Sequence, residues 1–208
     1  MSKYAYKEMA NQYDKQVKEY NSYGHDVMFG MCHEYVKPDE KVLDLGIGTG
    51  LASIQFSKIG LKVYGLDISQ DKLNICREKA FAEELKRHDL SNNKLPYNDN
   101  SFNHIICCAV FHFLSDLENI FSEVERTMEQ GGIFAFTISP GFQTGDYIKE
   151  MNSWEVPIYK HSPKYIIRLL HNNGMELLKE QRLLMIGGDK INYNTILSVM
   201  MAGCNKSY

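Results

Sequence analysis

Residues 42–50 read VLDLGIGTG, and residues 65–69 read GLDIS. The first stretch is a short apolar run that leads through Asp44 into three closely spaced glycines. The second is the end of another apolar run, and it closes on Asp67. A strand, a glycine-rich turn, a helix and a second strand ending in a carboxylate form the pattern of a nucleotide-binding βαβ unit. These two stretches therefore predict a nucleotide site.

The spacing of the glycines and the charge of Asp44 indicate which nucleotide is bound. Dinucleotide sites use the spacing G-x-G-x-x-G, whereas this chain has G-x-G-x-G. Asp44 would repel a pyrophosphate and attract an ammonium or sulfonium ion. Asp67 can accept both hydroxyls of a ribose. A ligand with a cationic amino-acid end and an adenosine end fits both carboxylates, and S-adenosylmethionine has these parts.

Five motifs in order resemble those of class I S-adenosylmethionine-dependent methyltransferases. They are residues 44–50, residues 65–69, Asp89–Leu90, Leu95–Tyr97 with Ser101–Phe102, and residues 130–134. Asn103 departs from the resemblance, since the family often has Asp at that place. The resemblance implies a Rossmann-like α/β fold, with a seven-stranded, mostly parallel sheet, one reversed edge strand and helices on both faces. It also implies S-adenosylmethionine as the cofactor and S-adenosylhomocysteine as the product.

The periodicity of apolar residues places alternating strands and helices along the chain. Strands are predicted at 41–46, 62–67, 84–89, 102–109 and 131–138, and helices at 50–59, 69–82 and 115–129. We expect one domain over residues 1–208, divided into a helical N-terminal segment (1–37), a cofactor-binding core (38–138) and an acceptor-side region (139–208). In the last region we expect a loop or short helical insertion at 139–161, a helix at 163–173 and a hairpin of strands near 175–186 and 192–202.

The expected cofactor-binding residues lie where the predicted strands end. They are Tyr13, Asp44, Gly46, Ile47, Gly48, Thr49, Asp67, Ile68, Asp89, Leu90, Cys108 and Ala109. The adenine contact of Asp89–Leu90 is implied by the resemblance. Two alternatives stay open: Asp44 can bind backbone amides of the glycine turn, and Thr49 can cap the following helix. Cys108 and Ala109 are small residues at the expected switch point of the sheet, although small residues also serve core packing.

Residues that could act on a methyl acceptor are fewer. His112 follows the fourth strand and is a candidate general base, because imidazole titrates near neutrality; a structural histidine is the alternative. The resemblance implies an N-terminal helical lid in which Tyr13–Asp14 folds over the cofactor. Phe142, Trp154 and Tyr159 are candidates for lining an acceptor pocket, and His104 is expected to be structural.

Composition limits the classes of partner. The 208 residues carry a net charge of −3, and the basic residues are scattered among acidic ones, which argues against a dedicated nucleic-acid binder. The five cysteines form no C-x-x-C pair, so we expect reduced thiols and no metal site. The apolar stretch Ile105–Leu114 is about half of the ~18 residues that a membrane span requires. We expect a cytoplasmic monomer or homodimer that methylates a small molecule.

Two other functions remain compatible with the sequence. An NAD-dependent oxidoreductase would use Asp67 equally well, but Asp44 and the glycine spacing count against it. A non-catalytic cofactor-binding module would need the same glycine turn and no acceptor chemistry.

Overall fold

Strands and helices alternate along most of the chain in the computed structural model, which describes residues 12–19, 22–91, 94–141, 144–152, 155–184 and 196–204. The helices are α1 (residues 12–19), α2 (Gly24–Cys32), α3 (Ile54–Lys58), α4 (Gln70–Glu78), α5 (Glu118–Thr127) and α6 (Pro163–Asn172), with a 3-10 helix at Phe111–Phe113. The strands are β1 (Lys41–Leu45), β2 (Lys62–Asp67), β3 (Ala82–Arg87), β4 (Phe102–Cys107), β5 (Met128–Ile138), β6 (Tyr147–Met151), β7 (Pro157–His161), β8 (Met175–Leu184) and β9 (Ile196–Cys204).

Seven of these strands form one sheet in the order β3-β2-β1-β4-β5-β9-β8. Strands β1 to β5 are parallel, and β9 runs antiparallel to both of its neighbours. The predicted Rossmann-like, mostly parallel sheet is confirmed. The prediction that the reversed strand lies at an edge was wrong, because β9 lies between β5 and the edge strand β8. The strand order reverses between β1 and β4, and ligands of open α/β sheets bind at the carboxyl ends of the strands beside such a reversal.

The central strands are buried on both faces, which explains their nearly continuous apolar sequences. On one face, Leu43 and Phe134 pack with residues of α5 and α6. On the other face, Val42 and Ile106 pack with residues of α2, α3 and α4. Because the two faces are covered, the strand ends remain as the place where polar side chains can meet a ligand.

Residues 144–161 differ from the expected loop or short helix, since β6 and β7 pair there as an antiparallel hairpin. Cross-strand contacts stabilise the pairing: the rings of Tyr147 and Tyr159 meet edge to face at 5.2 Å, and Lys160 lies 2.7 Å from Glu150. The expectation of a loop or short helical insertion there was therefore wrong.

The boundaries of two helices are also shorter than predicted. Helix α3 begins at Ile54 rather than residue 50, because residues 46–50 are still part of the glycine turn. Helix α4 ends at Glu78, where Ala80 takes a left-handed conformation (φ 52°), and β3 then begins at Ala82. The predicted turn at 187–189 lies outside the described residues, although the pairing of β8 with β9 agrees with the predicted hairpin.

In the part of the chain that the structure describes, no helix is both long enough and apolar enough to span a membrane.

Candidate functional site

A cavity of about 680 Å³ opens at the carboxyl ends of β1, β2 and β4. Its volume lies in the range of small-molecule and cofactor sites. It is lined by every residue expected to bind the cofactor except Thr49, namely Tyr13, Asp44, Gly46, Ile47, Gly48, Asp67, Ile68, Asp89, Leu90, Cys108 and Ala109. The fold thus brings together residues that are up to about half the chain apart in sequence.

The glycine turn has the conformation that its sequence requires. Gly46, Gly48 and Gly50 have φ values of +80°, +56° and +87°, which residues other than glycine rarely adopt. The backbone N–H groups of Gly46 and Ile47 both donate to the carbonyl oxygen of Leu66, at 2.8 and 2.9 Å, and tie the turn to β2. A Cβ on Gly46 would lie 2.3 Å from Val110. A Cβ on Gly48 would point to Lys72 and Asp67, so Gly48 is where a ligand can approach the backbone.

Asp67 is fixed at the end of β2 by two backbone donors. Its Oδ2 accepts from Gly48 N at 2.8 Å, and its Oδ1 accepts from Ser69 N at 2.7 Å. Its exposed fraction is only 7%, although it lines the cavity. Each carboxylate oxygen keeps a further lone pair, so the group can accept hydroxyls of a ribose while it holds the glycine turn.

Asp44 is almost completely buried and only half satisfied. Ser53 Oγ donates to its Oδ2 at 2.7 Å, whereas Oδ1 has no hydrogen-bond partner among the described residues. Burial raises the pKa of Asp44 to about 7, the hydrogen bond from Ser53 opposes the rise, and Asp67 adds to it. An unpartnered carboxylate oxygen beside a cavity is suited to a cationic donor. The ammonium group of S-adenosylmethionine therefore fits this position.

The side of the cavity where the sequence predicts the adenine contact is formed by the segments that follow β2 and β3. Ile68 has an exposed fraction of 57%, which leaves an apolar face free beside Asp67. Asp89 Oδ1 accepts from Ser91 N and Ser91 Oγ, and these hydrogen bonds lower the pKa of Asp89. His88 and Ser91 also line the cavity, and the sequence analysis did not single them out.

The end of β4 presents small residues, as predicted. Ala109 has φ 58°, and its N–H donates to Thr137 Oγ1 at 2.7 Å, which fixes the turn after the strand. Burial is the main cause that raises the pKa of the neighbouring Cys108 thiol to about 12. The Cys108 thiol is therefore protonated at neutral pH.

His112 lies in the 3-10 helix after β4 and lines the cavity. Burial, followed by the nearby His161 and Lys72, lowers the pKa of His112 to about 4. The imidazole is neutral at pH 7 and can accept a proton. The helix is held from the hairpin side, because His161 Nε2 donates to the carbonyl oxygen of Phe111 at 3.1 Å. His104, at the opposite end of β4, contacts Glu40 at 2.8 Å, in agreement with a structural role.

Helix α1 lies against the glycine turn through Asp14. One oxygen of Asp14 accepts from Thr49 Oγ1, and the other pairs with Lys79 Nζ, both at 2.5 Å. Thr49 therefore neither lines the cavity nor caps α3 through its side chain; it binds α1. Tyr13 and Val17 of α1 line the cavity. This position agrees with the expected lid.

The acceptor side contains residues that the sequence analysis missed and lacks one that it proposed. Asn152 and Ile158 of the hairpin segment line the cavity. Tyr159 does not line it and packs on Tyr147 instead. Phe142 and Trp154 lie outside the described residues. Periodicity did not reveal the hairpin, so its cavity-facing residues carried no sequence signal. Among the described residues, no group of three histidine, cysteine or acidic side chains is arranged to hold a metal ion.

Comparisons with known proteins agree with this geometry. A family model described as a methyltransferase domain matches residues 43–136. Demethylmenaquinone methyltransferase of Tropheryma whipplei is 31% identical over 97 residues, which cover 47% of this chain and 41% of that protein. The chain spans 20% to 44% of the length of the first curated relatives that it matches.

Solved structures share the fold over most of the chain. A chain from the complex between the Haloferax volcanii Trm112 methyltransferase activator and a methyltransferase gives a TM-score of 0.71 at 15% identity, and the match covers 98% of this chain and 97% of that one. Magnesium protoporphyrin IX methyltransferase from Synechocystis, solved with bound S-adenosylmethionine, gives a TM-score of 0.66 at 18% identity, with coverages of 90% and 81%. The matched stretch contains both strand-end carboxylates and the glycine turn between them, so residues 43–136 are similar to a methyltransferase domain, and the chain shares its fold with S-adenosylmethionine-dependent methyltransferases.

Proposed function

We propose that this protein transfers a methyl group from S-adenosylmethionine to a small-molecule acceptor by in-line displacement. The observation that carries the proposal is the pair of cavity-lining carboxylates, Asp44 and Asp67, beside a glycine turn in which a Cβ on Gly48 would meet no atom closer than 3.8 Å. The buried, unpartnered oxygen of Asp44 favours a cationic ligand end, and Asp67 favours a ribose.

When bound, S-adenosylmethionine supplies a methyl group that is activated by its sulfonium. The protein binds and orients: Asp44 receives the ammonium group, Asp67 the ribose hydroxyls, and Ile68 with Leu90 the adenine. Tyr13 on α1 covers the cavity and excludes water. Alignment of this kind can contribute on the order of 7 kcal/mol or more to lowering a barrier.

We assign removal of a proton from an acceptor hydroxyl or amine to His112, which lines the cavity after β4. Its lowered pKa keeps it neutral, so it is available as a base above about pH 5. A base is required only where the acceptor binds in its protonated form. The proposal therefore assigns His112 to proton removal and leaves methyl transfer itself to alignment.

The size and lining of the cavity support a small acceptor. A volume of about 680 Å³ accommodates a nucleoside cofactor with a small molecule beside it, and Ile158, Leu114 and Phe113 give the remaining wall an apolar character. The relative from Tropheryma whipplei is named for a small-molecule acceptor, demethylmenaquinone. We extend the same class of acceptor to this chain, as a monomer or homodimer without a nucleic-acid partner.

The oxidoreductase alternative is disfavoured, because a pyrophosphate over the glycine turn would lie near the buried carboxylate of Asp44.

A turnover assay distinguishes a methyltransferase from a non-catalytic binding module. Purified protein is incubated with methyl-labelled S-adenosylmethionine and a panel of phenols, quinols, amines and carboxylic acids. Formation of S-adenosylhomocysteine with a labelled product supports the proposal; tight binding of S-adenosylmethionine without labelled product across the panel supports a binding module.

A further inference from the structure

Lys72 is the one lysine or arginine among the described residues that line the cavity. The same lining contains three carboxylates, Asp44, Asp67 and Asp89. A ligand carboxylate that enters this acidic surrounding needs a nearby cation to offset the repulsion. The cofactor of the proposed function has such a carboxylate at its methionine end, and neither the sequence motifs nor the residues discussed so far provide a cation for it.

The side chain of Lys72 extends over the glycine turn. Its backbone N–H donates to Ser69 Oγ at 3.3 Å in the N-terminal cap of α4. Its Cδ would lie 3.8 Å from a Cβ on Gly48, and its Nζ lies 4.8 Å from the centroid of the Tyr13 ring. The ammonium group is thus held between the turn and the lid helix, at the place where a ligand lying along Gly48 would pass.

The charge of Lys72 is not neutralised by a neighbour. Among the described residues, no carboxylate lies within ion-pair distance of its Nζ, and its one recorded partner is the face of the Tyr13 ring. A cation–π contact leaves the N–H donors of the ammonium group directed elsewhere. Lys79, seven residues further along the chain, contrasts with it, since Lys79 is paired with Asp14.

We propose that Lys72 binds the α-carboxylate of the S-adenosylmethionine methionine end. This inference rests on the proposed function and adds one residue to it. Asp44, at the end of β1, and Lys72, beside Gly48, then match the ammonium and carboxylate groups of one zwitterion. Burial keeps the hydroxyl of the neighbouring Tyr13 protonated by raising the pKa of the phenol.

The test compares two ligands that differ in the methionine end. S-adenosylhomocysteine has the amino acid, and 5′-methylthioadenosine lacks it. Calorimetric titrations are made on wild type, Lys72→Met and Lys72→Arg. The matched control is Lys58→Met, which removes the same charge from an exposed position on α3. Lys72→Met keeps the length of the aliphatic stem, and thermal denaturation verifies that each variant is folded; Lys72→Gln serves as a second neutral variant.

We expect Lys72→Met to lower the affinity for S-adenosylhomocysteine by about 10- to 100-fold, which is the range for one lost hydrogen bond between charged groups. Binding of 5′-methylthioadenosine should stay within about twofold, Lys72→Arg should keep part of the affinity, and Lys58→Met should resemble wild type. The inference is overturned if S-adenosylhomocysteine binds Lys72→Met as tightly as wild type, or if both ligands lose affinity by the same factor. A wild type that binds neither ligand contradicts the proposed function itself, so the two failures are distinct.

Discussion

Asp67 Oδ2 accepts the backbone N–H of Gly48 at 2.8 Å, so the residue that ends β2 holds the turn that ends β1. The same carboxylate lines the cavity at the position proposed for the ribose. One side chain therefore fixes the backbone of the binding turn and presents an acceptor to the ligand. This coupling explains why a carboxylate, with two acceptor oxygens, is required at a position where most strands end in an apolar residue.

The first prediction concerns the stability of three Gly→Ala variants, which differ in whether the substitution causes backbone strain, a steric clash or neither. Gly46→Ala combines a φ of +80° with a Cβ 2.3 Å from Val110; Gly131→Ala has a φ of +78° and no neighbour within 4 Å. Gly145→Ala has neither. We expect Gly131→Ala to lower the free energy of unfolding by about 1 to 2 kcal/mol, Gly46→Ala by more, and Gly145→Ala by the least. Urea denaturation measures the order. Equal losses in Gly46→Ala and Gly145→Ala would contradict the described turn.

The raised pKa of Asp44 predicts how stability depends on pH without ligand. The folded protein binds this proton more tightly than the unfolded chain, so Asp44 lowers stability as pH rises from about 4 to about 7. Over this range the contribution of Asp44 to the free energy of unfolding falls by about 1.4 kcal/mol per pH unit. The substitution Asp44→Asn removes this pH dependence. The stability of Asp44→Asn relative to wild type should therefore increase by about 2 to 3 kcal/mol between pH 5 and pH 8.

Asp71→Asn, at a half-buried position in the first turn of α4, is the matched control for this measurement and should follow the wild-type pH dependence. The affinity for S-adenosylhomocysteine should change in the opposite sense, because only the ionised Asp44 attracts an ammonium group. In wild type the affinity should rise with pH up to about 7, and in Asp44→Asn it should be weaker and lack this rise. A flat relative stability from pH 5 to pH 8 would show that Asp44 is not buried as described.

The lowered pKa of His112 predicts that its imidazole stays neutral through the physiological range. In an NMR titration, the His112 ring signals should not shift between pH 8 and about pH 5 and should titrate near 4. His171, which is exposed on α6, provides the internal comparison. Once an acceptor is known, His112→Asn should lower kcat by about 100-fold or more if the acceptor binds protonated, with His171→Asn unaffected. A His112 midpoint near 6.5 would contradict the lowered pKa that its surroundings in the cavity predict.

The lid contact through Asp14 predicts a kinetic effect. Asp14→Asn weakens the contacts to Thr49 and Lys79 that hold α1 over the glycine turn. We expect S-adenosylhomocysteine to dissociate roughly tenfold faster, since a lost charged hydrogen bond is worth about 1.5 kcal/mol or more. Stopped-flow displacement measures the rate. Glu19→Gln, an exposed change on the same helix, should dissociate like wild type. Identical dissociation rates for Asp14→Asn and wild type would contradict the role of α1 as a lid.

The parts of the site that sequence reveals are those fixed by local chemistry. Gly46, Gly48 and Asp67 lie in short segments whose backbone demands and charges are visible without the fold. The carboxyl ends of β1, β2 and β4 then meet because parallel strands align their ends. The mostly parallel sheet and most strand positions could be predicted because strands and helices alternate along the sequence.

The parts that sequence does not reveal depend on contacts between distant segments. The pairing of Thr49 with Asp14 joins residues 35 positions apart, and no local pattern marks it. In the sequence, Lys72 is not distinguishable from other polar residues at the start of a helix. Its position beside Gly48 is visible only in the fold. The β6–β7 hairpin was missed because its strands are short and half-exposed, so neither helical nor strand periodicity is strong there.

The central claim is that the cavity binds an adenosyl amino acid and not a dinucleotide. Calorimetric titration of the full chain with S-adenosylhomocysteine and with NAD, repeated on Asp67→Ala, tests it most directly. We predict one-to-one binding of S-adenosylhomocysteine to wild type, a loss of at least about tenfold in Asp67→Ala, and no heat from NAD. Binding of NAD without binding of S-adenosylhomocysteine would contradict the account and assign the chain to the oxidoreductases.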